Sequence, residues 1–333
     1  MIKTGILSLA HHHGEAYISN LRRTAGVELI GVADDDAMRG QTIAAQNQTR
    51  YFHTYEDLLE ARPDAVIICT ENNRHRPLVE MAASRGIHVL CEKPIATTLE
   101  DARAIVDACD RAGVLLMTAF PMRFSVPLLE IKARLDHGDF GDVYCFNATN
   151  QGELPTKHRT WFVDPELAGG GAIMDHTVHL VDIMRWFLGS EVKTMYARSN
   201  RIMHSGEVQV ETGALEMLTF DNDVFATIDA SWSRPQYWPT WGGLTFEMVT
   251  QRGAVLVDAF RQNLNVFRHD WQRSNWAYWG SDINHAMLSE LVAAIRENRP
   301  PCVTGVDGLR AVEATLAAYE SNRTGKTVEV MTT

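Results

Sequence analysis

"KTGILSLAHHHGEAYISNLRRT", residues 3–24, runs from a short apolar segment through a turn of small and imidazole residues into an amphipathic segment closed by two arginines. Strand, tight turn and helix in that order open a βαβ unit. The alternation continues through "VELIGVAD" (27–34), "MRGQTIAAQN" (38–47), "AVIICT" (65–70), "RPLVEMAASRG" (76–86), "HVLCEK" (88–93), "LEDARAIVDACDRAG" (99–113) and "VLLMTAF" (114–120). Short links between strands and helices require parallel strands with crossover helices. The pattern predicts an α/β domain over residues 1–121 on a Rossmann-type, doubly wound parallel sheet.

Beyond residue 121 the character changes. A helix near 128–136, a stretch punctuated by Gly and Pro, and a helix over about 171–187 precede segments of period-two patterning. These are "VKTMYARSN" (192–200), "TGALEMLTFDND" (212–223), "VFATIDASWS" (224–233), "LTFEMVTQRG" (244–253), "AVLVDAF" (254–260) and "LNVFRH" (264–269). They predict an α+β domain over 122–333 on a large, mostly antiparallel, open-faced sheet. Helices over 284–322 close the chain and are expected to pack back toward the first domain.

Composition narrows the function. The chain has 333 residues, 45% of them hydrophobic, enough for two ordinary cores. A net charge of -11 with scattered Lys and Arg offers no stripe for a phosphate backbone, so nucleic acid is not an expected partner. Cys69, Cys91, Cys109, Cys145 and Cys302 are far apart, which suits a reducing cytoplasm. No secretory leader and no membrane span is expected.

Laid on G-x-G-x-x-G, the opening turn supplies Ser8, Ala10 and His13 in place of the three glycines. Ser8 and Ala10 are small enough for a phosphate turn, Ser8 can donate to a phosphate, and His13 can face an anion. Consecutive histidines point in different directions, so a metal shared by His11, His12 and His13 is not expected. Asp34 ends the second strand 26 residues after Ser8, where an acid bonds ribose hydroxyls; with Asp35 beside it, NAD is expected over NADP.

Three further motifs bring a family into view: "CTENNRH" (69–75), "VLCEKPIATTLEDA" (89–102) and "GGGAIMDHTVHLVDIMRW" (169–186), followed by "DGLRAVEATLAAYESNRTGKTVEV" (307–330). Glu92-Lys93-Pro94 at a strand end, about 20 residues beyond Thr70, Asn72 and His75, resembles the glucose-fructose oxidoreductase / inositol dehydrogenase (Gfo/Idh/MocA) family. So does the Gly-Gly-Gly, Asp175, His179 spacing, and the resemblance covers nearly the whole chain. The chain departs from the pattern at its glycine turn, at His176, where a small residue is common, and at Glu71, where Pro is common.

The resemblance implies an NAD(H)-dependent dehydrogenase acting on a secondary alcohol of a sugar, sugar acid or cyclitol. His179 is then the acid/base on the substrate hydroxyl, Asp175 orients and polarises the site, and Lys93 bonds the reacting oxygen. The cofactor set is Ser8, Ala10, His12, His13, Asp34, Thr70, Asn72, His75, Glu92 and Lys93. Arg123, His158, Trp161 and His176 are substrate candidates, and no metal is implied; Asp175, His176 and His179 as metal ligands is the discounted alternative. Trp238, Trp241, Trp271, Trp276 and Trp279 suit a sugar face or a buried interface equally. A homodimer or homotetramer is expected by resemblance. Two rival functions share the scaffold: an NAD-retaining glycosidase or lyase working through transient sugar oxidation, and a non-catalytic ligand sensor.

Overall fold

The computed structural model describes residues 1–236, 238, 240, 242–261, 263–267, 274–278, 280 and 282–331, with the strands at 263–267 and 274–278 given by their backbone. Trp241, Trp271, Trp279 and the side chain of Trp276 lie outside the described residues.

The first sheet is built from β1 (Ile2–Leu7), β2 (Val27–Ala33), β3 (Tyr51–Phe52), β4 (Ala65–Ile68), β5 (His88–Cys91) and β6 (Leu116–Thr118), in the order β3-β2-β1-β4-β5-β6. All its pairings are parallel. Consecutive Ile6 and Leu7 are both fully buried because helices cover both faces, which is why these strands read as continuous apolar runs. The crossovers are α1 (His13–Arg23), α2 (Ala37–Gln46), α3 (Tyr55–Glu60), α4 (His75–Ala83) and α5 (Leu99–Ala112). Asp36, Thr54 and Thr98 cap α2, α3 and α5 by accepting backbone amides. The strand ends that carry Ser8, Asp34, Thr70 and Glu92 therefore converge on one edge of the sheet, where open α/β sheets bind ligands.

After α6 (Val126–His137) come β7 (Val143–Gly152), α7 (Pro165–Ala168) and α8 (Val178–Leu188). The sheet is completed by β8 (Val192–Asn200), β9 (Gly213–Phe220), β10 (Phe225–Ser231), β11 (Gly242–Thr250) and β12 (Gly253–Asp258). A hairpin of β13 (Asn263–Phe267) and β14 (Ser274–Tyr278), helices α9 (Ile283–Glu297) and α10 (Gly305–Thr324), and the edge strand β15 (Val328–Glu329) follow. The second sheet has the order β12-β11-β7-β10-β9-β8-β15 and is antiparallel except where β10 runs parallel to β7.

The interior strand β7 is not foreseen from the sequence. Its buried positions Phe146, Ala148 and Asn150 alternate with Asn147, Thr149 and Gln151, so polar residues on both faces hide the period. Helix α10 packs on α5 and β6 beside the first sheet and on α8 and β8 beside the second. Among the described residues no helix is long and apolar enough to cross a membrane.

Candidate active site

The segment expected as one helix over 171–187 begins instead as a π-turn, Ile173–Thr177, that runs into α8. Its anchor is polar: Tyr319 Oη accepts the amides of Gly171 and Met174, and Glu211 Oε1 accepts those of Gly171 and Ile173. Glycine is needed here because a Cβ on Gly170 would fall 1.8 Å from Tyr319 Oη, and one on Gly171 would fall 2.0 Å from the Glu211 carbonyl. The wide turn lets consecutive side chains diverge from α-helical phase. Asp175 and His179 still face one cavity, while His176 turns beneath it.

Lys93, at the end of β5, meets this turn from the other domain. Its Nζ lies 2.6 Å from Asp175 Oδ1 and 3.2 Å from the Asp175 carbonyl. Asp175 Oδ2 accepts Trp232 Nε1 at 3.2 Å and faces His176 Nε2 at 3.1 Å. Burial would raise the Asp175 carboxyl, but Lys93 and His176 beside it hold it well below its usual range. His179 is pushed well below its ordinary value by burial and by the Lys93 charge, so it is neutral at neutral pH, and its Nδ1 is buried without a partner among the described residues.

These groups line a cavity of about 150 Å³ together with His11, His12, His13, Asn150, Glu153, His158 and an apolar wall that includes Pro121, Met122, Phe162 and Leu244. His12 is sandwiched, with ring centroids 4.9 Å from His11 and 4.7 Å from His158 at interplanar angles of 15° and 17°. Burial drives its pKa down to about 3, and its Nδ1 has no partner among the described residues.

The loop before α1 fits a dinucleotide. Ser8 adopts φ 68°, the left-handed backbone a turn glycine supplies, and its Oγ accepts the Ala10 amide at 3.1 Å. His13 begins α1, whose N-terminus is an anion site in such folds. Thr70 is spent locally, its hydroxyl on the Glu71 carbonyl, whereas Asn72 Nδ2 reaches across to the Ala168 carbonyl at 2.9 Å. Glu92 is fully buried and accepts from Tyr17 Oη, His13 Nδ1 and the Lys93 amide. Burial alone would raise its carboxyl; His11 and His13 hold it well below the usual range.

Several expectations need correcting. His75 is fully buried with Nδ1 at the Ile95 carbonyl, 3.2 Å away, so it props the loop after Lys93 and does not reach the cleft. Arg123 lies off the cavity: it binds Asp182 through two nitrogens at 2.6 and 2.8 Å and Asp307 at 2.9 Å, because the domain junction buries its guanidinium among acids. Trp161 donates Nε1 to the Ala10 carbonyl at 3.0 Å and stacks on Phe162, and it is Phe162 that lines the cavity. His176 faces Asp175 and the Asn150 carbonyl instead of substrate space. Asp34 is no free acceptor: Leu9 and Asp36 amides and two Arg39 nitrogens fill both of its oxygens.

The divergence expected of the three histidines holds only for His12. Ligand atoms of His11, His13 and Glu92 all lie within 4.8 Å of one another. Yet His11 Nδ1 accepts the His13 amide at 3.2 Å, which places the ring hydrogen on Nε2, toward Glu92. That is a donor facing a carboxylate, the wrong polarity for a ligand. Treatment with EDTA is therefore expected to leave turnover unchanged; stoichiometric metal, seen by elemental analysis and lost together with activity, would overturn this. Trp232, Tyr17, Asn150 and Glu153 escaped the sequence reading, since nothing in their spacing marks them.

Two family models match the chain: an oxidoreductase family with an NAD-binding Rossmann fold over residues 3–120, and the GFO/IDH/MocA C-terminal domain over residues 128–256. The chain is 28% identical to a 1,5-anhydro-D-fructose reductase of Ensifer adhaerens, covering 100% of this chain and 99% of that one. It is 25% identical to a myo-inositol 2-dehydrogenase of Thermotoga maritima, covering 99% and 98%. The solved structure of GenD2 from gentamicin A biosynthesis, in complex with NAD, shares its fold at a TM-score of 0.89 and 22% identity, covering 99% of this chain and 97% of that one.

Proposed function

Because the chain belongs to the Gfo/Idh/MocA oxidoreductase family, whose first domain binds NAD, we propose that it is a dehydrogenase transferring a hydride between nicotinamide and a secondary alcohol of a sugar, sugar acid or cyclitol. The observation that carries this reading is Lys93 locked to Asp175 with a neutral His179 on the same cavity wall, next to the dinucleotide loop.

The loop from Ser8 to His13, Asn72 and Glu92 would hold NAD, which supplies a two-electron hydride acceptor when bound. The rest falls to the side chains. Lys93 has two of its three N–H bonds engaged by Asp175, which leaves the third for the reacting oxygen and stabilises the charge that develops there. His179, uncharged and poorly hydrogen-bonded, takes the hydroxyl proton as the alcohol carbon loses hydride. Asp175, held by His176 and Trp232, keeps Lys93 in place. Asn150 and Phe162 shape the wall around the substrate.

NAD is preferred over NADP in this reading, although Arg39 neutralises Asp34. Asp35, whose side chain is 46% exposed, pairs with Arg39 at 3.3 Å and Arg74 at 3.1 Å, so Asp34, Asp35 and Asp36 face two arginines, and the net negative charge left there opposes a 2'-phosphate. The exposed face of the second sheet carries Leu215, Met217, Phe225 and Leu256 at 49–77% exposure, which supports assembly into a homodimer or homotetramer. Five thiols without a disulfide support a cytoplasmic setting. The glycosidase or lyase and sensor alternatives draw no support from the relatives' names. The test is a panel of sugars, sugar acids and inositols with NAD or NADP: NADH is expected to accumulate with at least one. Aglycone release without NADH would overturn the dehydrogenase reading.

A further inference from the structure

Resting on the dehydrogenase reading, we infer that the cavity selects an uncharged polyhydroxy substrate and turns away carboxylates and phosphates, with Glu153 as the residue that sets this selectivity. Glu153 follows β7 directly and lines the cavity, and it has no hydrogen bond or ion pair among the described residues. A carboxylate offers only acceptor sites, so its complement is a pair of hydroxyl donors.

Among the described residues the remaining walls supply no unpaired Lys or Arg for an anion, and His13 is engaged by Glu92 at 3.0 Å. Lys93 is the one Lys or Arg among the described lining residues, and Asp175 already holds it at 2.6 Å. No arginine, the side chain whose fork matches carboxylate and phosphate, lines the cavity among the described residues. The nearest along the chain are committed elsewhere: Arg123 to Asp182 and Asp307, and Arg159 to Glu15. Burial keeps His11, His12, His158 and His179 on the neutral side, so they add no positive charge at neutral pH. Among the described residues the wall thus carries an unpaired carboxylate and no unpaired Lys or Arg. A sugar acid would set its carboxylate against Glu153 and Asp175, and a hydroxyl at the same place would donate to them.

The test compares glucose with glucuronate, and myo-inositol with its monophosphate, for binding to the NADH-loaded protein by saturation-transfer NMR and calorimetry. The neutral member of each pair is expected to bind about tenfold tighter or more, the scale of one carboxylate repulsion partly screened by solvent. Glu153→Gln, which keeps shape and hydrogen bonding, is expected to shrink that gap to about threefold or less. Glucuronate binding as tightly as glucose, or an unchanged gap in Glu153→Gln, overturns the inference. NADH formation is followed in parallel, so a chain that binds neutral sugars without oxidising any would refute the dehydrogenase reading and leave the charge selectivity standing.

Discussion

Replacing Lys93 with methionine is expected to lower kcat by about 100-fold to 10,000-fold while NAD still binds, the scale of a lost acid/base or oxyanion-stabilising group. Methionine keeps the length of the side chain and removes both its charge and its hydrogen bonds to Asp175. Asp175 would then lean on His176 and Trp232 alone. Because Lys93 is 5% exposed, stranding its partner also threatens the fold, so melting and NADH-fluorescence titrations accompany the kinetics. His179→Gln serves as the second variant, since it removes the imidazole proposed as the base and leaves the Lys93–Asp175 pair intact. Burial and Lys93 keep the folded pKa of His179 well below 6.5, so the base form persists as the pH falls through 6.5. Alcohol oxidation should hold its rate there and decline only at lower pH. A kcat within about threefold of the parent in both variants would remove these residues from the chemistry.

Arg123→Ala is expected to destabilise the protein by about 3–5 kcal/mol with little change in substrate KM for the folded fraction. Arg123 is 5% exposed and Asp182 is 1% exposed; together with Asp307, Arg185 and the Cys302 carbonyl they close the junction between the two domains. Burial pushes the Asp182 carboxyl up to about 6 even with Arg123 in contact, so for this carboxylate desolvation outweighs what Arg123 returns. The large loss on removing one member comes from the charge left behind. Arg123→Leu combined with Asp182→Leu should therefore recover much of the stability lost by either alone. Denaturant unfolding of the three variants checks this, and a raised KM at unchanged stability would return Arg123 to the substrate site.

The two kinds of reading failed and succeeded for physical reasons. Fold class and the Gfo/Idh/MocA membership were legible because they depend on periodicity and on motifs contiguous in the chain, whereas the two-residue β3 and the six-residue α3 are too short to show a period. Lys93, Asp175 and His179 were legible as candidates for the same reason, and the structure brings them together across the domain junction. Strand β7 was not legible, because its two faces are both partly polar.

Sequence by itself determined which residues stand at strand ends and on one helical face, since those are properties of neighbours along the chain. Only the tertiary structure decided what each side chain meets. Arg123 found acids 59 and 184 residues away, Trp161 found the Ala10 carbonyl, and Asp175 gained Trp232, 57 residues on and just past the end of β10. Burial and partners set charge, tautomer and accessibility, and they come from contacts distant in sequence. That is why Asp34, His75 and His176 looked like ligand contacts in the chain and became supports in the fold.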